Sequence, residues 1–197
     1  MLMQRGFDNH KAAQKAKLTE LYTKLHGSPS TPYGMSEATA LKLLPRIQEA
    51  LHMTCRKLGR LPDAVDFGAG KGVLLDVLKR EGLIKSGTGL DLIPGRDPWL
   101  TQAMWEPVPD PFDFAISTDA LEHLPPDLVP DALRAIRNAA PHGFLRICTR
   151  PDRGLKSKEV LHLTVWGAVA WLQKLTESEF DVRLYRVEVG EAIEVAY

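Results

Sequence analysis

Asp66-Phe67-Gly68-Ala69-Gly70-Lys71-Gly72 puts an aspartate and three alternating glycines directly behind the apolar pair Ala64-Val65. Backbone stripped of side chains lets a nucleoside come close, and a helix N-terminus just beyond it welcomes polar groups. Asp91 closes a second apolar run at about twenty residues' distance, where a carboxylate takes ribose hydroxyls. A dinucleotide fingerprint needs its third glycine three places after the second, a place held here by Val73, whereas the third glycine falls at Gly72. The chemistry written into this stretch is therefore the binding of an adenosine-type cofactor that is not a dinucleotide. A tight turn with no ligand is the plainer alternative, and the two aspartates at matching distances argue against it.

The Asp-x-Gly-x-Gly-x-Gly run with Asp91 resembles motif I of the class I S-adenosylmethionine-dependent methyltransferases. That resemblance implies S-adenosyl-L-methionine as cofactor. Asp66 would meet the ammonium, and Gly68, Ala69, Gly70 and Gly72 would offer main-chain amides. Asp91 and Leu92 would stand at the ribose, and Met104 beside the adenine. Relatives often carry an aspartate after the third strand, whereas Thr101 to Glu106 contains none there. The run from Ser117 to Leu124, with Asp119-Ala120-Leu121-Glu122-His123 at its centre, resembles the segment after strand four in small-molecule methyltransferases. Ser117 and Thr118 are then expected at the cofactor, and Asp119 and His123 at the acceptor. Glu122 reads as a structural residue, and His123 could equally bond to the local backbone. Tyr33 resembles an aromatic that covers the cofactor from a flexible lid, with a hydrophobic staple as its alternative.

For catalysis, His162 is the candidate general base, since an imidazole titrates near ~6.5; a helix-capping role is the competing reading. Arg150 and Arg153 could hold an anionic acceptor or simply face solvent. No metal site is read from the sequence. The base-amine methyltransferase signature, Asp/Asn/Ser-Pro-Pro-Tyr/Phe, is absent after the fourth strand, and Pro125-Pro126 comes too late to supply it. Lys plus Arg equals Asp plus Glu at 25 each, giving no overall cationic excess for a phosphate backbone. The acceptor is thus expected to be a small molecule, or a group presented on a larger partner, attacked at oxygen or nitrogen. Alternatives are a non-catalytic cofactor-binding regulator, a nicotinamide oxidoreductase, and an RNA methyltransferase using the basic residues Lys11, Lys15, Lys17 and Lys24.

The elements that must position these groups follow from alternation of apolar runs. Strands are expected at 64–67, 87–92, 100–105, 112–117 and 144–148, with helices at 73–80, 127–139 and 160–175 and a closing antiparallel hairpin at 180–187 and 192–197. That pattern predicts an α/β, doubly wound, mostly parallel seven-stranded sheet with a C-terminal hairpin. Residues 1–34 read as a helical appendage and loop, and 35–197 as the methyltransferase domain, opening with a helix from Ser36-Glu37 to Leu58 whose second half starts at Pro45. No run reaches the ~20 apolar residues of a membrane span. Two cysteines far apart, Cys55 and Cys148, suit a reducing cytoplasm. The sequence sets no oligomeric state.

Overall fold

Strand burial alternates between two faces, and that alternation decides where each helix lies. The protein, a computed structural model, is described over residues 2–27, 34–92, 99–152 and 160–197. In chain order its elements are α1 (Leu2–Gly27), α2 (Glu37–Leu58), β1 (Asp63–Phe67), α3 (Val73–Arg80), β2 (Ser86–Asp91), β3 (Trp99–Thr101), β4 (Phe114–Thr118), α4 (Val129–Ala139), β5 (Gly143–Cys148), α5 (Ala168–Glu177), β6 (Leu184–Glu188) and β7 (Ala192–Ala196). The seven strands order as β3-β2-β1-β4-β5-β7-β6. The first five strands run parallel, and β7 enters antiparallel between β5 and β6. The expected doubly wound sheet with its hairpin is the fold observed.

Ala64, Phe114, Ile116, Phe144 and Ala196 turn to α2 and α3, burying Leu43, Ile47, Leu51, Leu74 and Leu78. Val65, Phe67, Ala115, Leu145, Ile147, Ile193 and Val195 face the other way, against α4, α5 and Leu18 of α1. Winding outward from β1 and then returning to β4 creates a crevice between the carboxyl ends of these two strands, the place where such sheets take ligands.

Several boundaries differ from expectation, each for a local reason. α2 runs unbroken through Pro45, capped at its start by Ser36, whose hydroxyl accepts the Thr39 amide at 3.2 Å. An internal proline costs about 3 kcal/mol, and burial of the five apolar residues Ala40, Leu43, Ile47, Ala50 and Leu51 offsets it. β4 begins at Phe114 because Asp113 is held outside, accepting Arg60 and the Asp63 amide. β3 is only three residues long; after the Gln102 amide bonds to Asp91 O at 3.1 Å, residues 103–106 turn instead of extending. The expected helix from 160 starts at Ala168, and 160–167 are a non-helical strap tied down by Thr164, whose amide and hydroxyl reach Glu122 O and Leu124 O at 3.0 and 2.6 Å.

A charge inside the apolar strand β5 marks a further structural node. Arg146 donates to Asp119 and lies 3.8 and 3.7 Å from Glu188 and Glu194 of the hairpin. Glu194 is 3% exposed and also meets Arg46 of α2. Removing the central cation of a partly buried ion network leaves the buried Glu194 less compensated, so Arg146→Met is expected to lower stability by about 2 kcal/mol. Urea unfolding monitored by circular dichroism checks this, and an unchanged midpoint would contradict it.

Candidate functional site

The end of β1 delivers Asp66, and the chain then passes through a loop that only glycine fits. Gly68 has φ +82°, and a Cβ placed there would stand 2.6 Å from Ala120 Cβ and 3.6 Å from Met104 Cε. Gly72, at φ 72°, sits immediately before α3. The expectation that these glycines present open amides does not hold. Gly68 and Ala69 donate to Leu90 O, Gly72 donates to Ala69 O, and Gly70 donates to Asp91 Oδ2 at 2.9 Å. Their contribution is space and left-handed backbone, with three of those four amides committed to β2 and the fourth to the loop itself.

A cavity of about 390 Å3 opens over this loop. Its wall includes Asp66, Gly68, Ala69, Gly70, Asp91, Leu92, Met104, Thr118, Asp119 and His123, so most of the expected site residues do meet in one place. Gly72 shapes the loop from outside that lining. Ser117 is the correction among them: its hydroxyl donates to Phe67 O at 3.0 Å, stitching β4 to β1, and its side chain faces the sheet. Tyr33 and Arg153 lie outside the described residues. Arg150 pairs with Glu191 at 2.7 Å.

The electrostatics of the cavity are acidic. Asp66 is 2% exposed, and its Oδ1 has no hydrogen-bond partner. Burial, and secondarily the Asp91 charge, push its carboxyl up to about 7. At the exit of β4, Asp119 adopts φ +50°, a left-handed conformation that aspartate tolerates better than most residues other than glycine. Burial raises its pKa, and Arg146 opposes that shift. A 3-10 turn, Leu121–His123, follows. His123 is pushed down to about 4 by burial and then by His162, so it is neutral at physiological pH and weak as a proton acceptor. Glu122 is fully buried with both oxygens unpartnered, and burial followed by the Asp119 charge raises it to about 8.

His162 is not on a helix. It sits on the strap, its Nδ1 2.8 Å from Arg150 O and its ring edge-on to His123 at 5.0 Å between centroids. It therefore reaches the cavity wall through His123 and does not itself line it.

Several lining residues escaped the sequence reading. Leu18 and Tyr22 of α1 close one side of the cavity, and Met35, Ser36 and Thr39 close another. The stripe Leu18, Leu21, Tyr22, Leu25 was the available signal; an apolar stripe says that a helix packs, without saying against what. Three α1 lysines have intramolecular contacts: Lys11 pairs with Asp131 at 2.7 Å, Lys24 with Glu20 at 2.7 Å, and Lys15 lies 5.5 Å over the Trp105 ring.

A family model described as a methyltransferase domain matches residues 37–184. No curated protein matches the chain by sequence. Among solved structures, the 1,6-didemethyltoxoflavin-N1-methyltransferase of Burkholderia thailandensis, with 1,6-didemethyltoxoflavin and S-adenosylhomocysteine bound, superposes with a TM-score of 0.61 at 15% identity, covering 95% of this chain and 88% of that one. The PH0226 protein of Pyrococcus horikoshii gives 0.59 at 13% identity, over 78% and 89% of the two chains. An O-methyltransferase family protein from Burkholderia thailandensis gives 0.56 at 12% identity, over 81% and 58%. At these identities the likeness is one of fold.

Proposed function

The chain belongs to the class I S-adenosylmethionine-dependent methyltransferase family, and on that premise we propose that it moves the methyl group to an oxygen or nitrogen of a small acceptor, or of a group presented on a larger partner. The observation that carries this reading is the buried, unpartnered Asp66 carboxylate oxygen beside Asp91 in a cavity otherwise largely apolar. An orphaned anion costs free energy until a cation meets it, and the ammonium of the cofactor is such a cation. The residues present thus fit S-adenosyl-L-methionine. Asp66 would hold the ammonium, Asp91 the ribose hydroxyls, and Leu92, Met104 and Trp105 the adenine, while Gly68 and Gly70 let the ligand lie against main chain.

The cofactor supplies an activated methyl on a sulfonium. The protein's own part is to align the acceptor with it and keep water out. Thr118, Asp119 and His123 rim the acceptor side at the exit of β4, and Leu18 and Tyr22 roof the cavity. A roof of this kind suits a compact acceptor, and the pairing of Lys11 with Asp131 and the seat of Lys15 over Trp105 argue against a nucleic-acid track along α1. Residues 35–197 would form the catalytic domain, with 1–34 as an N-terminal extension that contributes to its roof. No described helix is long and apolar enough to cross a membrane. A reducing, cytoplasmic setting is part of the same reading, supported by the unpaired thiols Cys55 and Cys148.

The test is incubation of the purified chain with isotopically labelled methyl donor and a small-molecule extract. A labelled product is expected with the wild type. S-adenosylhomocysteine binding without any labelled acceptor would leave a cofactor-binding regulator as the surviving reading. Asp91→Ala should weaken S-adenosylhomocysteine binding by about 1–3 kcal/mol, the scale of hydrogen bonds to a charged group. Calorimetry showing equal affinity for both proteins would remove Asp91 from the ribose.

A further inference from the structure

We infer that Glu122, His123 and His162 form a binding site for one divalent transition-metal ion at the rim of the cofactor cavity. One ligand atom from each of the three lies within 4.8 Å of the other two. Bonds of about 2.0–2.2 Å to nitrogen and oxygen set ligand atoms roughly 3.4 Å apart around a tetrahedral ion. Closing the widest of these gaps takes up to about 1.4 Å of side-chain movement.

Three observations independent of that spacing point to a cation. Glu122 is completely buried, and neither carboxylate oxygen has a hydrogen-bond partner. An unpartnered acid in the interior is costly to ionise unless a positive charge joins it. Both imidazoles are anchored by the same atom to main-chain carbonyls, His123 Nδ1 to Leu161 O at 3.0 Å and His162 Nδ1 to Arg150 O at 2.8 Å. Donation from Nδ1 selects the tautomer whose lone pair sits on Nε2, which is how metal-ligating histidines are oriented. Finally, the strap bearing His162 is not helical where its sequence reads as helix, and Thr164 fastens it to Glu122 O and Leu124 O. Those bonds hold His162 beside the turn carrying the other two.

Two imidazoles and one carboxylate, without thiolate, suit Zn2+, Fe2+, Co2+ or Mn2+ better than Mg2+ or Ca2+. Three protein ligands leave positions open, and His123 lies in the cavity wall. Resting on the methyl-transfer reading, this narrows the acceptor to one carrying a hydroxyl. Bound at the ion, its oxygen would lose a proton to solvent at a lowered pKa. That oxygen would then bond to the methyl carbon as the donor's carbon–sulfur bond breaks, leaving the thioether.

Chelator-treated full-length protein, dialysed against Zn2+ and separately against Co2+, tests the site. The expected result is about one ion retained per chain, with visible d–d absorption for Co2+. His162→Ala and Glu122→Gln should each weaken retention by at least the roughly 100-fold that loss of a mere supporting hydrogen bond can cost, while His52→Ala, exposed on α2, leaves it unchanged. Circular dichroism confirms that each variant is folded. No ion retained by the wild type overturns the site, as does retention that survives both substitutions, which marks adventitious surface binding. S-adenosylhomocysteine calorimetry on the same metal-free sample separates the two readings. Ion retention without nucleoside binding supports the site and removes the reading it serves; nucleoside binding without ion retention does the reverse.

Discussion

Gly68→Ala is expected to lower affinity for S-adenosylhomocysteine by about 100-fold, near 2.7 kcal/mol. Two costs combine. Alanine at φ +82° is strained by roughly 1–2 kcal/mol. The new methyl also meets Ala120 Cβ at 2.6 Å, which no real pair of carbons tolerates, so the exit of β4 must move. That displacement carries Thr118, Asp119 and Ala120, all in the cavity wall, away from their positions. The double variant Gly68→Ala/Ala120→Gly removes the clash and keeps the strain, so it should recover about tenfold of the lost affinity. A cycle of calorimetric affinities separates the two effects. Equal affinity in Gly68→Ala and wild type would mean that the close approach of these strand ends has no part in binding.

The second large effect is a pH dependence set by Asp66. Its carboxyl is raised to about 7 in the cofactor-free protein, from an ordinary 3.8, by burial and by Asp91. Pairing with an ammonium needs the ionised form. Affinity should therefore rise by nearly tenfold per pH unit below about 7 and level off above it. The sign for stability runs oppositely. An acid with a raised folded-state pKa contributes fully below the ordinary carboxylate range, and that contribution is lost as pH climbs through about 7. The empty protein should thus lose stability between about pH 4 and 7, and the nucleoside should restore most of it at pH 8. Asp66→Asn should flatten the affinity profile at the level of the acid limb and raise the melting temperature of the empty protein at pH 8. Calorimetry from pH 5.5 to 8 decides the matter; a flat wild-type profile would show that Asp66 does not meet the ammonium.

Much of this was legible in the sequence where local pattern and tertiary need coincide. The helix at Val73–Arg80 has the expected bounds, and the glycine loop, Asp66 and Asp91 are where motif spacing puts them. What was not legible depends on partners distant in the chain. Whether the loop amides are open depends on Leu90 O and Asp91, supplied by β2. Residues 160–167 carry helix-compatible apolar spacing, yet Thr164 finds two carbonyls at the 3-10 turn, and those bonds override it. Ser117 reads as a polar residue at a strand end, and only the neighbouring strand reveals that Phe67 O claims its hydroxyl. The place of α1 over the cavity was hidden for the same reason, since nothing in its stripe of leucines names the surface it covers.

The Arg146 guanidinium has a bearing on inheritance of change through the sheet. One planar cation serves an acid at the cavity mouth and two acids on the closing hairpin. Altered residues at positions 188 or 194, remote from any ligand, would reset how tightly that cation grips Asp119. On the proposed reading, the closing hairpin would thereby act as a tuning screw for the cavity mouth, able to shift Asp119 without any change in a ligand-touching residue.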